Sequence, residues 1–138
     1  MKIRDRMQTD VIALQANEPL VNAVEATASM RIRHIPILDG ETLVGIVTEN
    51  DIKHATPSAL IQGNEQLYRK ILNDTPVSRI MRRAPITVSP DTTMGKLVAT
   101  MLDNKIGAVP VIEDGKLVGI ISELDVLRSY LDVLQIVE

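Results

Sequence analysis

The apolar positions of this chain fall into two rhythms that alternate and then recur. Leu43-Val44-Gly45-Ile46-Val47 is a continuous apolar run, the pattern of a buried strand, and Thr48 then opens a helical rhythm with Asp51 three residues on. The same string returns as Leu117-Val118-Gly119-Ile120-Ile121, Ser122 and Asp125. Upstream, Ile12-Ala13-Leu14 and Ile86-Thr87-Val88 predict short strands. Leu20, Val24, Thr27 and Ala28 then share one helical face, as do Met94, Leu97, Val98, Met101 and Leu102. Asn17 and Asp91 are suited to cap these helices, with Pro19 in the first turn. Ile35-Pro36-Ile37-Leu38 and Val109-Pro110-Val111-Ile112 predict strands whose proline fits an edge or a strand's first residues. Asp39-Gly40 and Asp114-Gly115, one residue out of register, close each into a hairpin with the following run.

Adding 74 to each number superposes residues 3–52 on 77–126 without a gap. Met7 meets Met81, Ile32 meets Ile106, Pro36 meets Pro110 and Asp51 meets Asp125. The repeated element reads β-α-β-β-α, an α/β (α+β) unit, and roughly 50 residues bury too little surface to be stable alone. Two copies packed sheet to sheet about a pseudo-twofold axis account for the duplication. The expected division is a first unit at 1–56, a helical insert or linker at 57–76 and a second unit at 77–138. Within the insert region, Thr56-Pro57 is followed by a helical pattern carrying Leu60, Ile61, Leu67, Ile71 and Leu72. The closing helix of the second copy runs long and apolar through Val126, Leu127, Tyr130, Leu131, Val133, Leu134 and Ile136.

Composition narrows the chemistry. Fifteen basic against eighteen acidic residues leave a net charge of −3, which recommends neither nucleic acid nor an anionic membrane as partner. Cysteine is absent, so disulfides, zinc-thiolate sites and a cysteine nucleophile are excluded. No apolar run approaches a membrane span, the charged start lacks a signal-peptide core, and a cytoplasmic location is the default expectation. Tyr68 and Tyr130 are the only aromatics, so a flat ligand base must be held between aliphatic side chains.

The repeated hydroxyl-x-x-Asp string has two readings. As a capping box, Thr48 or Ser122 accepts a first-turn N–H while Asp51 or Asp125 reaches back to the cap, although Asp is a methylene shorter than the usual Glu. As a ligand site, the helix N-terminus and the hydroxyl suit a phosphate, and the carboxylate one turn along can accept from two ribose hydroxyls. Both can hold, with the cap relaxing when ligand arrives.

On these residues the chain resembles the CBS-domain family, as one tandem pair (a Bateman module). The resemblance rests on Gly45-Ile-Val-Thr48-Glu-Asn-Asp51 and Gly119-Ile-Ile-Ser122-Glu-Leu-Asp125. It rests also on the Met7 and Met81 leaders and on His34-Ile35-Pro36-Ile37 and Ala108-Val109-Pro110-Val111. It implies a regulatory module, not an enzyme, sensing adenosine-containing ligands: AMP, ADP, ATP or S-adenosylmethionine, with no obligatory cofactor and no metal. It implies two clefts between the paired units, with Asp51 and Asp125 on ribose and Thr48 and Ser122 on phosphate. The base is then expected near Val11, Ile12 and Ala13 with Arg33, His34 and Ile35, and near Pro85, Ile86 and Thr87 with Gly107, Ala108 and Val109. A homodimer, usually through the helices, and a regulated enzyme or transporter complete the expectation. Ligand would shift the angle between units or between modules.

Several residues carry their own alternatives. Arg31, Arg33 and His34 either neutralise a di- or triphosphate, with His34 tuning affinity near neutral pH, or form a solvated helix end. Lys105, Gly107 and Ala108 stand there in the second copy, leaving more room and less charge. Arg79, Arg82 and Arg83 reach phosphate or form a surface patch. His54 reads as a helix-end residue, and Met30, Met94 and Met101 as core filler. The alternative function is a ligand-independent dimerisation or interaction scaffold. Catalysis is disfavoured because no nucleophile triad, metal-ligand set or phosphate loop is present.

Overall fold

The computed structural model describes residues 1–56 and 63–138. Its residues gather into two compact units, one continuous (Ile12–Pro85) and one split between Met1–Val11 and Ile86–Glu138. The expected boundaries of 1–56 and 77–138 follow the sequence repeat, whereas the compact units trade its leaders. Each unit is the body of one repeat closed by the leader of the other.

The continuous unit contains β1 (Leu14–Gln15), α1 (Leu20–Met30), β2 (His34–Asp39), β3 (Thr42–Thr48), α2 (Glu49–Ala55), α3 (Glu65–Asp74) and β4 (Arg82–Arg83). The sheet order is β1-β2-β3-β4, with β1 parallel to β2 and the other pairs antiparallel. Ile35, Ile37 and Val47 on the hairpin bury against Leu20 and Ala23 of α1, Ile52 of α2 and Leu72 of α3. Pro36 sits opposite Ile46 inside the hairpin, among the fully buried side chains. Leu60, Ile61 and Pro57 of the expected insert lie outside the described residues. Of the remainder, Leu72 is buried and Leu67 exposed on α3.

The split unit contains α4 (Met94–Asn104), β5 (Ala108–Glu113), β6 (Lys116–Ser122) and α5 (Glu123–Val137). β5 and β6 form an antiparallel hairpin. Its flanks are single bridges, Val88 parallel to Val111 and Gln8 antiparallel to Ile120. Subtracting 74 from Val88 and Val111 gives the β1–β2 pair Leu14 and Ile37, and shifting Gln8 and Ile120 likewise gives the β4–β3 pair Arg82 and Ile46. The two units thus share one four-stranded plan, thinned at the edges of the second. Ile3, fully buried, packs with Leu97, Met101, Val109, Val111 and Ile121.

The exchange explains both signature glycines. A Cβ at Gly119 would stand 2.9 Å from the Gln8 carbonyl oxygen and 2.9 Å from Met7 Sδ. At Gly45 it would stand 2.5 Å from Met81 Sδ and 3.0 Å from the Arg82 carbonyl. The leaders cross their signature strands where only hydrogen fits.

Several local expectations are corrected. The cap of α1 is Pro19, without a side-chain bond, so Asn17 does not cap it. Thr93 caps α4 by accepting from the Lys96 N–H, while Asp91 instead accepts a forked bond from Arg4 at 3.1 and 2.8 Å. A first-turn N–H is satisfied equally well by the nearer hydroxyl, which frees the aspartate for the leader. Ala28 and Leu102 lie on exposed faces, the buried residues being Leu20, Ala23 and Ala26 on α1 and Leu97 and Met101 on α4. Met30 is exposed as well, so only Met94 and Met101 fill core as expected. The strand expected at 12–14 begins at Leu14, and that at 86–88 is reduced to the Val88 bridge.

Candidate ligand site at the strand-to-helix junctions

In both units the signature strand ends at a hydroxyl residue that caps the next helix. Thr48 Oγ1 accepts from the Asp51 N–H at 3.1 Å, and Asp51 Oδ2 accepts from the Thr48 N–H at 2.9 Å. Ser122 and Asp125 repeat the pattern at 3.4 and 2.8 Å, and the Ser122 hydroxyl also donates to Asp125 Oδ2 at 3.0 Å. The shorter aspartate therefore closes the capping box in both copies.

Each carboxylate divides its work between its two oxygens. Oδ2 is held by the cap. Oδ1 of Asp51 accepts from Arg82 Nε and Nη2, both at 3.3 Å. At Asp125 the Gln8 Nε2 donates to both oxygens, Oδ1 at 3.2 Å and the cap oxygen Oδ2 at 3.3 Å, and Arg128 Nη1 lies 3.5 Å from Oδ1. Arg82 and Gln8 are equivalent leader positions, since 8 + 74 = 82. The outer oxygen is thus engaged by an exposed side chain from the edge, a contact that solvent or a ligand can replace.

Burial by itself would push the Asp51 carboxyl up. The Thr48 backbone N–H, the Thr48 hydroxyl and Arg82 outweigh it and hold the group below the usual aspartate range. A folded value below the unfolded one gives stability that is present above about pH 4 and is lost as pH falls through the folded value. Asp51→Asn is accordingly expected to flatten the acid side of the stability profile, measured by urea unfolding between pH 6 and pH 3 (roughly the span in which a shifted aspartate titrates). An unchanged slope would mean that the cap and Arg82 do not bias the ionised form.

The neighbouring strand supplies backbone. The Arg33 carbonyl accepts from the Glu49 N–H at 2.8 Å, and the Gly107 carbonyl accepts from the Glu123 N–H at 2.9 Å. His34 pairs in register with Thr48, and Ala108 with Ser122. Ile35 and Val109 turn fully buried side chains into the core, so only their backbone is available to a ligand. Arg33 reaches Glu49 at 4.0 Å, and Lys53 reaches the same carboxylate at 3.1 Å. Val11 belongs to the split unit and Ile12 and Ala13 to the continuous one. Pro85 belongs to the continuous unit and Ile86 and Thr87 to the split one. Ile12, Ile86 and Thr87 are exposed, and Val11, Ala13 and Pro85 are half-buried.

The Arg82 and Gln8 contacts to the aspartates were not legible in the motif itself. Their signal is the offset of 74, which places both immediately after the leader methionines. Among the described residues, no cluster of His, Asp and Glu could hold a metal ion, and no helix is long and apolar enough to cross a membrane.

The CBS domain pattern matches residues 3–58 and again residues 77–132. The chain belongs to the CBS-domain family. As a tandem CBS pair it is similar to a solved CBS pair, that of protein MJ0100 in complex with 5′-methylthioadenosine and S-adenosyl-L-methionine. Identity to that pair is 27%, with TM-score 0.79 over 96% of this chain and 98% of the other. It is similar also to CBSX2, solved in complex with AMP, at 25% identity and TM-score 0.76 over 96% and 97%. A 33.4 kDa protein of the ribosomal RNA operon of Thermofilum pendens is 31% identical over 128 residues. That match takes in 92% of this CBS pair and 43% of the relative, so the pair spans less than half of that relative's length.

Proposed function

We propose that this CBS pair is a regulatory sensor, without catalytic activity of its own, for an adenosine-containing ligand. Asp51 and Asp125 take the ribose hydroxyls, and Thr48 and Ser122 meet the phosphate or its substituent. The base lies along the backbone of Arg33-His34-Ile35 and of Gly107-Ala108-Val109. The supporting observation is the shared carboxylate: Oδ2 closes the cap in both copies, and Oδ1 is met by exposed, replaceable side chains, Arg82 at Asp51 and Gln8 with Arg128 at Asp125. A diol can take that second oxygen without unmaking the helix start. The ligands of the similar CBS pairs, AMP in one and 5′-methylthioadenosine with S-adenosylmethionine in the other, agree with this chemistry. The sensed state would be passed to a regulated enzyme or transporter.

A scaffold reading draws on α5. Leu124, Leu127, Tyr130, Leu131 and Val137 are exposed along it, an apolar face that a second copy would cover in a homodimer. A thermal-shift screen with AMP, ADP, ATP, S-adenosylmethionine and 5′-methylthioadenosine, run beside sedimentation, separates the two readings. A ligand at about a hundred times its Kd stabilises by about 2.7 kcal/mol, a shift of several degrees. Dimerisation with no shift from any of the five would leave the scaffold and remove the sensor.

A further inference from the structure

We infer that leader positions 82 and 8 sort ligands by charge: Arg82 reserves the Asp51 site for a nucleotide bearing phosphate, and Gln8 opens the Asp125 site to an uncharged or cationic adenosyl ligand. This rests on the ligand reading above and goes beyond it by dividing the two sites.

The argument is one of charge balance on binding. A ribose that takes Asp51 Oδ1 releases the forked guanidinium now bonded there at 3.3 Å. The planar fork of the Arg82 guanidinium matches phosphate as well as carboxylate. With a phosphate-bearing ligand, the guanidinium passes from one anion to another and the ion pair is replaced. With a neutral thioether nucleoside, the pair is broken and nothing succeeds it.

At Asp125 the released group is the neutral Gln8 amide, which returns to water without an unpaired charge. The carboxylate that remains is buried. Arg128 at 3.5 Å lies near it, yet through a side chain 69% exposed and without a hydrogen bond. The position therefore favours a cationic sulfonium or a neutral substituent over a phosphate. The strand beside each site changes in the same direction, Arg33-His34 giving way to Gly107-Ala108.

The test is calorimetry with AMP, 5′-methylthioadenosine and S-adenosylmethionine on the full chain carrying one live site at a time. Circular dichroism confirms folding of each variant. With Asp125→Ala, AMP is expected to bind the remaining site more tightly than 5′-methylthioadenosine. Adding Arg82→Gln should weaken AMP about tenfold and leave the thioether within about twofold. Arg82→Lys, which keeps the charge and loses the fork, should fall between. With Asp51→Ala, Gln8→Arg should gain AMP affinity by about the same factor.

An AMP to thioether ratio unmoved by Arg82→Gln overturns the inference, as does a parallel loss of both ligands, which would mark Arg82 as merely structural. Either result leaves the sensor reading standing. Absence of binding by the unmutated chain to all three ligands would remove both.

Discussion

Asp125→Ala is expected to weaken adenosyl ligand binding at its site by about a hundredfold, the loss of two hydrogen bonds to an ionised carboxylate. The same change strips the Ser122 N–H and hydroxyl of their acceptor at a buried position, at a cost of about 1–3 kcal/mol of stability. Asp51→Ala should reduce binding at its own site by a similar factor and cost less stability, about 1 kcal/mol. There the Thr48 box is the main loss, and Arg82 is already exposed. Asp125→Asn separates the two effects, because its amide oxygen can still accept from the Ser122 N–H while the ionised acceptor is gone. Calorimetry with a ligand found by the thermal screen measures the first effect, and urea unfolding the second. Affinity within about twofold of the unmutated chain would show that the aspartate is a cap and nothing more.

The second large effect tests the exchange of leaders. Ile3→Ala removes a side chain with no exposed surface from a core whose other buried residues are Leu97, Met101, Val109, Val111 and Ile121, and about 2–5 kcal/mol should be lost. Were residues 1–11 a loose tail, the change would stay within about 0.5 kcal/mol. Because Gln8 continues the same leader onto Ile120 and Asp125, the variant should also weaken binding at the Asp125 site. Val77→Ala is the counterpart in the continuous unit, where Val77 is fully buried in the cluster with Leu20, Ile35 and Leu72. Urea unfolding of both variants, with ligand titrated at each site, decides the matter. A small loss from Ile3→Ala together with an intact Asp125 site would contradict the division into these units.

Much of this architecture is written in local patterns. The hairpins at 34–48 and 108–122, and the helices that follow them, come from apolar runs interrupted by turn residues, and the structure keeps them within a residue or two. Thr48 with Asp51 and Ser122 with Asp125 were legible as caps, which the structure keeps, and as site candidates because the same spacing suits a ligand's phosphate and diol. What local pattern does not carry is the choice of partner. Met7 meets the same kind of strand and the same glycine in either repeat, so its sequence cannot distinguish Gly45 from Gly119. Only the three-dimensional path resolves it, and the contacts of Arg82 and Gln8 follow from that path. Smaller departures have the same origin. Asp91 looks like a cap until the leader delivers Arg4 to it, and Leu102 looks like core until the helix is seated with Leu97 and Met101 inward.

The split unit also sets an order of assembly during synthesis. By the time Pro85 has been added, residues 12–85 have every strand and helix of their own unit, and nothing further along the chain is needed to complete it. Residues 1–11 emerge before all of these, yet their strand β6 is finished only at Ser122. Residues 1–11 are thus made well before the rest of the unit they belong to, waiting while the neighbouring unit folds and joining a sheet that does not yet exist.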